Sequence, residues 1–170
     1  MLRGNRSYIR FLLSLVLLVT LQACASDYGS ADNPKTGYLY GPVIGITDGD
    51  TLTILSPIKK QVKIRLAEIH TPERGQPFGT SAKEQLSDMV FQKDIAIKLV
   101  DIDRYERIVG RVYVGDLDVN AELVRIGAPW VYRKYAKDFG LYELEDEARD
   151  AKRGLWSQSP QIPPWEWRRR

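Results

Sequence analysis

"VIGITDGDTLTILSPIKKQVKIRLAEI", Val43 to Ile69, decides the fold. An apolar run at Val43–Ile46 meets the turn signal Asp48-Gly49, and "TLTIL" follows at Thr51–Leu55. "SPIKK" (Ser56–Lys60) makes a second turn, after which Val62–Ile69 alternates between apolar and polar residues. Alternation with period two is the mark of a strand that buries one face, and short Asp/Gly/Pro links keep successive strands adjacent. The stretch predicts a three-stranded meander.

Working outward, the period changes at Thr80–Gln92, where Ala82, Leu86, Met89 and Val90 share one helical face. Strand character returns at Ile95–Val100 and Ile108–Val114. A short helix fits "NAELVRI", with Asn120 as its cap and Gly127 as its stop, and a last helix fits Leu141–Leu155. Three strands, a helix, two strands and then helices is the chain order of a five-stranded Greek-key barrel, the OB-fold. The class expected is α+β with about three helices.

Both ends lie outside that domain. Arg3, Arg6 and Arg10 precede the apolar run Phe11–Leu21, which is too short to span a bilayer but fits the core of a secretory signal. The following "LQAC" ends on Cys24, the only cysteine, and resembles a bacterial lipobox whose cysteine is acylated. Residues 1–23 are therefore expected to be removed, with lipidated Cys24 anchoring the protein to the cell envelope. The absence of aspartate just after Cys24 points to the outer membrane by analogy. With one cysteine no internal disulfide can form. Residues 24–40 read as a polar tether, residues 41–157 as the domain, and residues 158–170 as a tail. In that tail Trp165 and Trp167 are expected to fold back on the barrel, and Arg168–Arg170 are free for phosphate or anionic lipid. Residues 1–23 hold three of the 25 basic side chains and none of the 22 acids, which leaves the mature chain balanced. Net charge thus says nothing about partners, and local clusters must carry that argument.

A single histidine, His70, excludes multi-histidine zinc sites and most triads. Carboxylates, arginines and hydroxyls remain, a set suited to hard cations, activated water and phosphoryl oxygens. They cluster at three strand junctions: "TDGDT" at Thr47–Thr51, Arg65 with Glu73 around "RLAEIHTPE", and "DRYERIVGR" at Asp103–Arg111.

"DGDT", "IRLAEIHTPE", "DRYERIVGRVYV" and "VNAELVRIGAPWVY" stand in unbroken order between Val43 and Trp156 and resemble the thermonuclease family, the staphylococcal-nuclease-like proteins. The resemblance implies an OB-fold and calcium-dependent cleavage of phosphodiester bonds in DNA and RNA. It implies Arg65 and Arg107 as catalytic arginines and Glu73 as the catalytic glutamate. Asp50 and the Thr71 carbonyl would be calcium ligands, with Arg104 and Tyr105 against a nucleotide's phosphate or ring. Single-stranded DNA or RNA is the expected substrate, and a monomer is expected.

His70 departs from the pattern, since the family usually carries aspartate there as a second calcium ligand. Three outcomes stay open at this point. Calcium binds more weakly through Asp50, Thr71, Glu68 or Asp48 and water; or His70 recruits manganese, nickel or zinc; or the metal site is impaired and the barrel only binds nucleic acid.

Overall fold

The computed structural model describes residues 37–157 and 161–170. The expected export signal and Cys24 lie outside the described residues. The expected meander is present: β1 (Tyr38–Asp48), β2 (Thr51–Leu55) and β3 (Gln61–Leu66) pair antiparallel in sequence. After β4 (Ile69–His70) and helix α1 (Gly79–Val90), β5 (Asp94–Ile102) pairs with the free side of β1. β6 (Ile108–Val114) then pairs antiparallel with β5 and parallel with β3, which closes a five-stranded barrel. Closure removes the open sheet edges. Leu52, Ile54, Ile64, Leu66, Ile97 and Val112 are wholly buried in the interior. Helix α1 sets Ala82, Leu86 and Val90 into the same core, so truncating Leu86 to alanine would cost about 2–5 kcal/mol.

Four expectations change in detail. The first strand begins at Tyr38, so Tyr38–Tyr40 of the supposed tether pair with Lys98–Ala96. The supposed strand Val62–Ile69 is two strands, split where Glu68 takes a left-handed backbone, φ +65. Its carbonyl accepts from Tyr132 N–H, and its carboxylate accepts from the N–H groups of Lys137 and Asp138, which offset the strain. The split frees β4 to pair with β8 (Trp130–Val131), His70 opposite Trp130.

Asn120 is not a cap. After the short β7 (Leu117–Asp118), Asp118 caps α2 (Val119–Arg125) by accepting from Ala121 N–H. Asn120 is buried, its side chain accepting from Val112 N–H and donating to the Ala67 carbonyl. The last long helix, α3 (Phe139–Asp150), stops before a 3-10 turn at Gly154–Ser157, and the tail contains a one-turn helix, α4 (Pro164–Trp167), that periodicity could not reveal.

Candidate active site

The turn between β1 and β2 is pressed against the helical side of the barrel. A Cβ on Gly49 would lie 2.7 Å from Ala82 Cβ and 2.9 Å from Thr71 Cγ2, so only glycine fits. That close approach pins Asp50 in the interior, 5% exposed. Its Oδ1 meets Arg65 Nη1 at 2.9 Å and accepts from Thr51 Oγ1, and its Oδ2 accepts from Thr71 N–H at 2.9 Å. Arg65 is fixed further by donating to the carbonyls of Leu66 and Ile69. Burial pushes the Asp50 carboxyl up, but Arg65 and the Thr71 N–H outweigh it and hold Asp50 below the usual range. Asp48 goes the other way. Burial, and then the neighbouring Asp50, raise it to about 6.

β4 delivers the next group. His70 is buried, and burial drives its pKa down to about 4; Asp50 opposes that, while Arg65, Arg168 and Arg107 reinforce it. The ring is therefore neutral at pH 7. Its Nε2 accepts from Arg168 Nη2, which leaves the proton on Nδ1, a buried atom without a hydrogen-bond partner among the described residues. Past Pro72, Glu73 is held through its backbone N–H by Gln76 Oε1, and its carboxylate takes Arg168 Nε at 2.7 Å.

The β5–β6 turn supplies the third group. Asp103 Oδ1 accepts from the backbone N–H groups of Tyr105 and Arg107, and Oδ2 accepts from Arg107 Nε at 2.7 Å. Tyr105 stands 64% exposed with Arg107 and Arg104 over its ring, at 5.5 and 4.8 Å.

These groups meet. One cavity of about 260 Å³ is lined by Arg65, Glu73 and Arg107, with Asp48 and Asp50 beneath and Tyr105 at the mouth. His70 and Thr71 line it too, so of the candidate catalytic and metal-binding residues read from the sequence all but Glu68 face it. Arg104 sits behind Tyr105, donating to its hydroxyl, and is not part of the lining. Glu68 is committed elsewhere, to the Lys137–Asp138 backbone and to Arg111. Two residues contribute in ways the sequence did not specify: Asp103, seen there only as a member of a charged cluster, orients Arg107, and Arg168, seen only as part of a basic tail, joins the lining. The arginine run was visible in sequence, but nothing local says where the tail returns. A larger, shallow depression around Gln76–Glu84 has, among the described residues, Glu84 as its only ionisable lining residue and no cation to hold an anion.

For a hard divalent cation the site offers the carboxylates of Asp48 and Asp50. Burial first, and then the neighbouring Asp50, disfavour charge on Asp48, and such an ion would offset both. Among the described residues no group of three or more His, Cys, Asp or Glu side chains is arranged to hold a metal. His70 adds no open donor, since Nε2 is engaged by Arg168. The residues fit an oxygen-bound ion with much of its shell left to water, and they fit a nitrogen-ligated transition metal poorly.

Comparison with known proteins gives the chain's family. The family profile described as "Staphylococcal nuclease homologue" matches residues 63–158. An "Uncharacterized endonuclease" of Escherichia coli is 41% identical over 78% of this chain and 86% of its own length. A protein of the same description from Haemophilus influenzae is 37% identical over 93% of this chain and 84% of its own. A "Micrococcal nuclease" of Shigella flexneri is 39% identical over 76% of this chain and 80% of its own. The chain belongs to the staphylococcal nuclease homologue family.

Proposed function

We propose that the protein is a metal-dependent nuclease that hydrolyses phosphodiester bonds of DNA, RNA or both with low sequence specificity. The observation that carries this reading is the convergence of Arg65, Glu73 and Arg107, from three separate strand junctions, on one cavity. Attack of water on a phosphodiester builds negative charge on the non-bridging oxygens. Planar guanidiniums held in place beforehand stabilise that charge without reorganising. Arg65 is held by two carbonyls and Asp50, and Arg107 by Asp103. Glu73 takes the proton of the attacking water or orients it, and the P–O bond to the leaving oxygen breaks as the new one forms.

Tyr105 offers a ring for stacking, worth about 1–3 kcal/mol per base and indifferent to base identity. Unpaired strands should therefore be preferred. A divalent cation, calcium first, held by Asp48 and Asp50 with the Thr71 carbonyl, would supply Lewis-acid charge on a phosphate oxygen when bound.

The place of action rests on sequence alone. Phe11–Leu21 and Cys24 support export and lipid anchoring at the bacterial envelope, with the membrane touched through that anchor only. A second reading draws on His70 and the Arg168–Glu73 pair: an OB-fold module that grips nucleic acid and does not cut it.

A metal panel (calcium, magnesium, manganese, nickel, zinc) against labelled single-stranded DNA separates the two. The nuclease reading expects cleavage that a chelator stops and that Glu73→Gln with Arg107→Ala abolishes. Full activity in that double variant would overturn the assignment. Binding without cleavage under every metal would favour the module.

A further inference from the structure

The tail is seated on the barrel before it reaches the cavity. Pro164 is buried, and the Trp165 ring lies 5.8 Å from Tyr132 at an interplanar angle of 11°, edge-on to Trp130 at 6.4 Å. Gln76 ties the tail to the catalytic segment, since its Nε2 donates to the Ile162 carbonyl while its Oε1 accepts from Glu73 N–H. A docked α4 then carries Arg168 to Glu73 and His70.

Two features say what Arg168 does there. It lines the cavity as a third guanidinium beside Arg65 and Arg107, yet about 260 Å³ stays open and Tyr105 remains exposed at the mouth. The tail is therefore part of the wall and not a stopper. Its partners are also of the kind an anion can replace. The Arg168 and Glu73 side chains are 53% and 34% exposed, so solvent screens their contact and it does not hold the guanidinium as a buried ion pair would.

We propose that Arg168 is a substrate-binding residue, a third guanidinium that grips a phosphodiester oxygen of single-stranded nucleic acid. The inference rests on the nuclease reading above. A phosphate oxygen competes with Glu73 for this guanidinium, and its arrival releases Glu73 Oε1 toward the attacking water. Trp165 is the positioning residue, acting through the seat of the tail.

The test is a salt titration of binding, using the full chain, a fluorescein-labelled oligothymidylate and a chelator to prevent cleavage. A contact that neutralises one phosphate adds about 0.7 to the slope of log affinity against log salt on single strands. Arg168→Gln should weaken binding by roughly tenfold at low salt, as expected for a charge-assisted hydrogen bond, and flatten that slope by about 0.7. Arg168→Lys should keep the slope, and Trp165→Ala should behave like Arg168→Gln. A purely structural tail would leave the slope untouched. An unchanged slope in Arg168→Gln, with wild-type binding intact, overturns this inference and leaves the nuclease reading standing. Tighter binding in Arg168→Gln also overturns it, because the tail would then compete with substrate. A wild type that binds no oligonucleotide removes both.

Discussion

The site contains two arginine–aspartate pairs that look equivalent in a list of contacts and differ in how they are built. Arg65–Asp50 joins a strand to a turn 15 positions away through the barrel wall, with side chains only 13% and 8% exposed. Arg107–Asp103 closes a hairpin turn on itself, with side chains 28% and 20% exposed. In the first pair each partner has further commitments, to the Leu66 and Ile69 carbonyls and to Thr51 and Thr71. In the second the aspartate mainly shapes the local turn. The difference suggests that one guanidinium belongs to the framework and the other to the working rim.

The largest expected effect tests that division directly. Arg107→Ala should lower single-turnover cleavage by about 10²–10³-fold, the usual cost of losing a transition-state donor. Its urea unfolding midpoint should barely move. Arg65→Ala should lose a similar factor in rate and also about 3–5 kcal/mol of stability, because Asp50 is left buried without its countercharge. If both variants unfolded alike, the contrast between framework and rim would be gone.

The aspartates come next. Asp50→Asn keeps the shape but strips the charge from a buried network, so a loss of about 2 kcal/mol or more is expected. Asp103→Asn should cost less than about 1 kcal/mol, in line with partly exposed pairs. Calorimetric melting of the two proteins side by side decides it. A larger loss in Asp103→Asn would reverse the ranking.

The same division explains what was legible in the sequence. The barrel was readable because period-two strands and the Asp48-Gly49 turn are local signals, and the three charged clusters sit where those strands end. The framework pair was half readable: Asp50 and Arg65 stood out, but not the Thr71 N–H that holds Asp50 from 21 positions away. Glu68 was misplaced among the metal donors because its left-handed backbone, which swings its side chain toward Lys137, has no local marker. Asn120 was misread as a cap for a related reason. A cap and a bridge between distant backbones use the same amide, and only the fold brings Ala67 within reach. Arg168 is the extreme case, 95 positions from Glu73 and dependent on an aromatic seat that only the folded barrel provides.

Between the two pairs lies His70, and changing it should sharpen the picture at the metal. His70→Asp adds an anionic oxygen beside Asp50, so calcium affinity measured by calorimetry should rise on the order of tenfold, since affinity follows ligand charge. Calcium-driven cutting should rise with it. The gain is capped because Arg168 now faces a full carboxylate and will compete with the ion. No gain in calcium binding would mean that the ion does not approach position 70.

The smallest effect belongs to the rim pair and appears only in acid. Burial pushes the Asp103 carboxyl up, but hydrogen bonds from the Arg107 side chain and from the Arg107 and Tyr105 backbones outweigh it, so its pKa lies below the ordinary 3.8. A carboxyl depressed in the folded state contributes stability above its unfolded pKa and loses that contribution as pH falls through the folded value. Wild-type stability should therefore decline below about pH 4, and Asp103→Asn should make that decline slightly shallower while lowering the plateau above it. Solvent screens this half-open pair, so the change should be small beside the rate loss of Arg107→Ala. An acid limb identical in the two proteins would mean that Asp103 orients Arg107 by geometry alone, with its charge contributing nothing to the fold.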